Sequence, residues 1–133
     1  MPIDYKQIFD SVKTIAIVGL SPDPSKPSHY VSAYLQSCGY RIFPIYPKGE
    51  TILGEKVYGA LANIPDRVDM VIMFRKADYA STLIDEVIKR GDAKVFWLQL
   101  GIVNNEACAK AARHGITALQ DRCAMQVHRA IYE

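Results

Sequence analysis

The chain has 133 residues, enough for one domain with one core, and a single domain over residues 1–133 is expected. Hydrophobic residues make up 50% and charged residues 23%, which excludes intrinsic disorder, and no apolar run approaches membrane-spanning length. A formal net charge of +2 without a basic stripe gives no footing for nucleic acid.

The N-terminus, Met1-Pro2-Ile3-Asp4-Tyr5, has no basic segment followed by an apolar one, so the expected location is the cytoplasm. Asp4 with Gln7 resembles a capping box, and Ile8, Phe9 and Val12 continue it as a short amphipathic helix. Ile15-Ala16-Ile17-Val18 reads as a strand buried on both faces, as in a parallel sheet. Gly19 then lets the backbone turn sharply and approach a ligand. The Pro/Ser loop that follows ends at Ser28, a candidate helix N-cap, and a strand feeding a helix N-terminus suits phosphate. The G-x-G-x-x-G fingerprint is absent.

Val31, Tyr34, Leu35 and Cys38 recur at helical spacing, and Gly39 ends that helix. Arg41 to Tyr46 is the second strand, and Pro44 within it requires an edge position or incomplete pairing on one side. Gly54 marks a turn, Val57-Tyr58 a very short strand, and Ala60 to Ile64 a short helix. Val68 to Phe74 is a further buried strand, interrupted only by Asp69. Asp78 is placed to cap a helix whose apolar face is Tyr79, Ala80, Leu83, Ile84, Val87 and Ile88. Ion pairs Asp85 to Lys89 and Glu86 to Arg90 are expected along it, with Gly91 as the stop. Val95 to Leu98 is another strand. Asn104 or Asn105 starts an Ala-rich helix through Arg113, closed by Gly115. Ile116 to Leu119 is a last short strand and Met125 to Tyr132 a closing helix.

Strands alternating with helices imply an α/β, doubly wound domain: a mainly parallel sheet of about five strands, order 3-2-1-4-5, with helices on both faces. The ligand crevice then lies outside the carboxyl ends of strands one and four, where the winding reverses. Lys48 stands where a dinucleotide-binding sheet places an acidic residue, so an additional phosphate is favoured there. Arg75 and Lys76 add positive charge across the crevice. Against this, Lys48, Arg75 and Lys76 have a plain reading as surface charge, and Ser21, Ser25 and Ser28 as turn and cap residues. Phe96 and Trp97 read as core, and His29, His114 and His128 as surface or helix-end residues. Cys38 and Cys108 read as buried small hydrophobes in helices and Cys123 as a strand-end residue, all three reduced thiols without metal spacing. No catalytic motif is found; Asp121, Cys123 and His128 are the one neighbourhood where nucleophile and base types gather.

Ile17-Val18-Gly19-Leu20-Ser21, Tyr46-Pro47-Lys48, Ile52-Leu53-Gly54-Glu55-Lys56-Val57-Tyr58, Phe74-Arg75, Val95-Phe96-Trp97-Leu98-Gln99-Leu100-Gly101-Ile102 and Asp121-Arg122-Cys123 together resemble the small bacterial and archaeal CoA-binding proteins. These are single Rossmann-like domains similar to the CoA-binding domain of the succinyl-CoA synthetase alpha subunit. The resemblance implies a cofactor, coenzyme A or acyl-CoA, and the residues that hold it. Gly19, Leu20, Ser21 and Ser28 would take the pyrophosphate. Tyr46, Pro47 and Lys48 would face the adenosine and its 3′-phosphate, with Met73, Phe74 and Arg75 opposite. Gln99 and Gly101 would lie nearer the pantetheine arm. Tyr46 replaces the usual Asn, Lys76 stands where Arg is common, and the tail after Cys123 lacks the Lys and Glu expected beside His128. The function implied is CoA binding without catalysis, as a carrier, sensor or accessory subunit. A homodimer or a partner enzyme is left open. The alternatives are a minimal NAD(P)-binding oxidoreductase and a protein-interaction module with a vestigial nucleotide site.

Overall fold

Ile15, Ala16 and Ile17 have no solvent exposure, because β1 (Thr14–Val18) is flanked by parallel strands on both edges and covered by helices on both faces. A computed structural model describes residues 3–133. The chain runs α1 (Tyr5–Ser11), β1, α2 (Pro27–Ser37), β2 (Arg41–Ile45), β3 (Thr51–Ile52), β4 (Glu55–Lys56), a 3-10 turn (Leu61–Asn63), β5 (Met70–Met73), α3 (Tyr79–Arg90), β6 (Val95–Leu98), α4 (Asn105–Arg113), β7 (Thr117–Leu119) and α5 (Ala124–Tyr132). Five parallel strands pair in the order β2-β1-β5-β6-β7. The winding reverses at β1, as a Rossmann-like sheet requires. Outside β2 the expected very short strand is a single parallel bridge, Tyr58 to Ile45. Among the described residues no helix is long and apolar enough to cross a membrane.

Strand alternation sorts the two faces. Ala16, Val18, Phe43, Val71, Met73, Phe96 and Leu98 pack with α3 and α4. Ile15, Ile17, Ile42, Met70, Ile72 and Trp97 pack with α1, α2 and α5. Pro44 sits on the edge strand: Arg41 N–H and the Ile45 carbonyl bond towards β1, so the missing Pro44 donor falls on the outer side. There its carbonyl accepts from Tyr58 N–H at 2.9 Å.

Several local expectations change in three dimensions. The N-cap of α2 is Lys26 with Pro27 at the first helical position, where its fixed φ suits a helix start, and not Ser28. Asp78 occupies the N-cap position of α3 without a side-chain cap bond. The α3 ion pairs form with other elements: Asp85 with Lys110 of α4 at 2.5 Å, and Arg90 with Asp92 at 2.9 Å. Arg90 also donates to the carbonyls of Leu61, Ile64 and Asp66, tying the 3-10 turn to α3. Leu53 and Gly54, both at positive φ, close a β3–β4 hairpin that the sequence shows only as a turn. Asn104, not Asn105, caps α4 by accepting from Ala107 N–H. Cys38 is exposed and Cys108 only half-buried, where buried thiols were expected, while the strand-end Cys123 is buried.

Asp69 breaks the apolar run of β5 for a structural reason. Its carboxylate accepts from the N–H groups of Lys13 and Thr14, at 2.9 and 3.3 Å, and from Arg67, joining the starts of β1 and β5. Burial alone would raise this carboxyl, but the bonds from Lys13, Arg67 and Thr14 outweigh it and hold the group below its ordinary 3.8. Asp69→Ala is expected to lower stability to urea by about 2–4 kcal/mol, since two backbone donors lose a charged acceptor. A carboxyl with a depressed folded-state pKa stabilises above the unfolded value. The wild-type advantage should therefore be full above pH 3.8 and shrink as pH falls through the folded value.

Candidate functional site

At the carboxyl end of β1 the chain turns on Gly19 at φ +86°, a backbone state that costs an L-residue about 1–2 kcal/mol. The Gly19 and Leu20 N–H groups both donate to the Ile45 carbonyl, at 2.9 and 3.3 Å, and Phe74 N–H donates to the Val18 carbonyl at 2.9 Å. The loops after β1, β2 and β5 thus meet at one point. A Cβ at Gly19 would stand 3.0 Å from Arg75 Cγ and 3.4 Å from the Phe74 carbonyl oxygen. Arg75 therefore crosses directly over the glycine, and its guanidinium lies 4.2 Å from the Tyr79 ring centroid. Burial and the Glu86 carboxylate push the Tyr79 phenol above its ordinary value, with Arg75 opposing.

Two cavities open on either side of this junction and share Gly19, Tyr46 and Phe74. The first, about 810 Å³, runs from Pro47 past Leu61 to Arg75, Lys76 and Tyr79. The second, about 540 Å³, is walled by Ser21, Lys26, Ser28, Gln99, Cys123 and Met125. Both volumes lie in the range of small-molecule sites.

The sequence-predicted residues divide accordingly. Gly19, Tyr46 and Phe74 line both cavities, Pro47 and Arg75 the first, and Ser21, Ser28 and Gln99 the second. Leu20 and Met73 are fully buried in the core and line neither cavity. Lys48 lies on the exposed turn beyond Pro47 and lines neither cavity. Gly101 is also off both walls, with its N–H donating to Asp121 Oδ1 at 2.8 Å. Ser21 N–H donates to Ser28 Oγ at 2.9 Å, and the Ser21 carbonyl accepts from His29 Nδ1 at 2.9 Å. His29 thus braces the loop. Because the N–H groups of Gly19, Leu20 and Ser21 are already engaged, the donors this end can present to an anion include the Ser21 and Ser28 hydroxyls and Lys26.

A second junction joins the ends of β6 and β7. Trp97 Nε1 donates to the Arg122 carbonyl at 2.9 Å, Asp121 N–H to the Ile102 carbonyl at 3.1 Å, and Ala124 N–H to Gln99 Oε1 at 3.2 Å. Asp121 holds a positive φ of 56° within this turn. The turn delivers Cys123, the N-cap of α5, onto the second cavity. The gathering of Asp121, Cys123 and His128 does not form. Asp121 is on Gly101, while His128 Nδ1 shares a 2.7 Å hydrogen bond with Tyr34 Oη and is boxed by Phe9, Tyr40 and Tyr132, buried and not at the surface. Burial pushes His128 below its ordinary value, with Glu133 opposing. Lys26, Tyr79, Cys123 and Met125 are wall residues the sequence reading did not place in the site. The strand-end position of Cys123 was the one available signal.

The sequence profile of the CoA-binding domain matches residues 13–129. The chain belongs to the CoA-binding domain family. It is 37% identical over 125 residues to the uncharacterized protein YneT of Bacillus subtilis, covering 94% of this chain and 92% of that one. A solved structure from Thermus thermophilus, cell-free ID.343, superposes with a TM-score of 0.91 at 33% identity, covering 96% of each chain. The ADP-forming acetate–CoA ligase II of Archaeoglobus fulgidus is 31% identical over 81 residues, 59% of this chain but only 12% of the ligase. The CoA-binding domain is thus related to one segment of a far larger enzyme.

In this CoA-binding domain the Gly19 junction can be tested against a glycine in open space. Gly39 is also left-handed, at φ +99°, with nothing near its missing Cβ. Gly39→Ala should cost about 1–2 kcal/mol from backbone strain alone. Gly19→Ala should cost more, because Arg75 and the Phe74 carbonyl must also move; urea unfolding of the two variants checks the order.

Proposed function

We propose that the chain binds CoA or acyl-CoA as one extended ligand laid across Gly19, without a catalytic centre of its own, as a carrier, sensor or accessory subunit. The observation that carries this reading is the pair of cavities meeting over a glycine that no side chain could replace without displacing Arg75. The first has Arg75 and Lys76 at its wall beside Asp78 and Glu86, and the second has Lys26 as well as the buried Gln99 amide. CoA has the matching polarity: a phosphorylated adenosine diphosphate at one end, and an uncharged arm with two amides and a thiol at the other.

In this reading Tyr46, Pro47 and Phe74 flank the adenosine, with Arg75 and Lys76 across the crevice on the other side of its ribose and the stem of Lys48 reaching the 3′-phosphate. The Ser21 and Ser28 hydroxyls, with Lys26, take the diphosphate over the first turn of α2. The Gly19 backbone forms the floor, with Leu20 and Met73 packed beneath it, and Gln99 faces the pantetheine arm, with Gly101 setting the loop behind it. The relation to a segment of a ligase makes a partner enzyme a reasonable destination for the bound CoA, alongside a second copy of this chain.

Isothermal titration with CoA, dephospho-CoA and NAD tests the reading. CoA should bind most tightly. Lys48→Ala should weaken CoA about ten- to a hundredfold, the worth of one charge-assisted contact of about 1.5–3 kcal/mol, and leave dephospho-CoA unchanged. Equal affinity of the wild type for CoA and dephospho-CoA would remove Lys48 from the 3′-phosphate, and tighter binding of NAD would replace the CoA reading by a dinucleotide one.

A further inference from the structure

The second cavity has an apolar rim and a distribution of charge that CoA binding alone leaves unused. Two of its wall residues, Tyr30 and Leu100, are 45% and 58% exposed. A single large apolar side chain in solvent is ordinary, but these two share one cavity with half-buried Ile102 and Met125, so the exposure is gathered and not scattered. Val103, next to Ile102 in the chain, continues the apolar surface and is itself 48% exposed.

Charge on this wall is confined to the other end. Among the described residues Lys26 is the one charged side chain lining the cavity, and it stands at the N-cap of α2, two residues before Ser28. That is where the diphosphate lies in the proposed binding mode. Beyond it the wall is neutral, in contrast to the first cavity, where Arg75, Lys76, Asp78 and Glu86 all take part.

We infer that the ligand is an acyl-CoA whose acyl group is uncharged and apolar, with its chain covering Leu100 and Tyr30 at the rim of the second cavity. The inference rests on the pantetheine arm lying in that cavity and adds the class of acyl group. An alkyl chain removes the surface of Leu100 and Tyr30 from water, and each methylene buried there raises affinity by about fourfold when fully covered and about twofold when half covered. A terminal carboxylate, as on a dicarboxylic acyl group, would lie against neutral side chains and lose hydration without gaining a cation. The site therefore selects monocarboxylic over dicarboxylic acyl groups of equal length.

Isothermal titration of the full chain with CoA and with acetyl-, butyryl-, hexanoyl- and succinyl-CoA tests this. Affinity should climb from CoA to hexanoyl-CoA by about two- to fourfold per added methylene until the rim is covered. Succinyl-CoA should bind roughly tenfold more weakly than butyryl-CoA, which has the same chain length. Measured relative to CoA in the same variant, Leu100→Ser combined with Tyr30→Ser should flatten the series. Leu100→Lys, which supplies the missing cation, should reverse the order of butyryl- and succinyl-CoA. Equal affinity for CoA and hexanoyl-CoA, succinyl-CoA binding as tightly as butyryl-CoA, or a chain-length gain that survives the double substitution would overturn the inference. If CoA binds while the acyl series is flat, only the acyl assignment fails; if CoA itself does not bind, the reading of the cavity as a CoA site fails and the inference fails with it.

Discussion

Gly19 has no freedom to be anything else for two separate reasons. Its backbone is left-handed, and the space its side chain would fill is occupied by the Arg75 stem. The second reason matters more, because it fixes how closely the loop after β5 approaches the loop after β1. That approach is locked from below by Phe74 N–H on the Val18 carbonyl, and from the side by Gly19 and Leu20 N–H on the Ile45 carbonyl. Three loops from three adjacent strands are therefore held at one point, and the crevice that a sheet forms where its winding reverses is divided there into two connected halves.

The far half depends on a different set of bonds. Trp97 is buried for packing against α1, yet its indole N–H reaches the Arg122 carbonyl, and Gln99 caps the start of α5. These bonds orient the first turn of α5, while the Tyr34–His128 bond and the surrounding rings anchor its later turns against α1 and α2. The wall carrying Cys123 and Met125 is thus fixed at both ends of a nine-residue helix. Neutral His128 suits this box, since a charged imidazole among four aromatic rings would be poorly solvated.

The parallel strands were legible because a strand buried on both faces has to be apolar at every position, and Ile15 to Val18, Val68 to Phe74 and Val95 to Leu98 are nearly so. Asp69 was visible as an interruption, but its role needed the start of β1 to be seen beside it. Local rules failed where the partner comes from elsewhere in the chain. Ser28 looked like a cap, but its hydroxyl accepts from Ser21, seven residues away, and Pro27 starts the helix. Asp85 looked paired within α3, but Lys110 of α4 reaches it. His128 looked exposed because nothing in its own helix reveals that α1 and α2 close over it. The strand ends and the loop after β1 pointed to Tyr46, Phe74 and Arg75 on one side and to Ser21, Ser28 and Gln99 on the other; the wall formed by α5 was not legible, since that helix is positioned by tertiary hydrogen bonds.

The central claim is that a single ligand occupies both halves across Gly19. Two-dimensional NMR of the isotope-labelled chain during titration with CoA tests it most directly. The account predicts that backbone amide shifts at Tyr46, Arg75 and Lys76 on one side, and at Ser28, Gln99 and Cys123 on the other, change together and saturate at the same ligand concentration. Shifts confined to one side, or two sets that saturate at different concentrations, would contradict it.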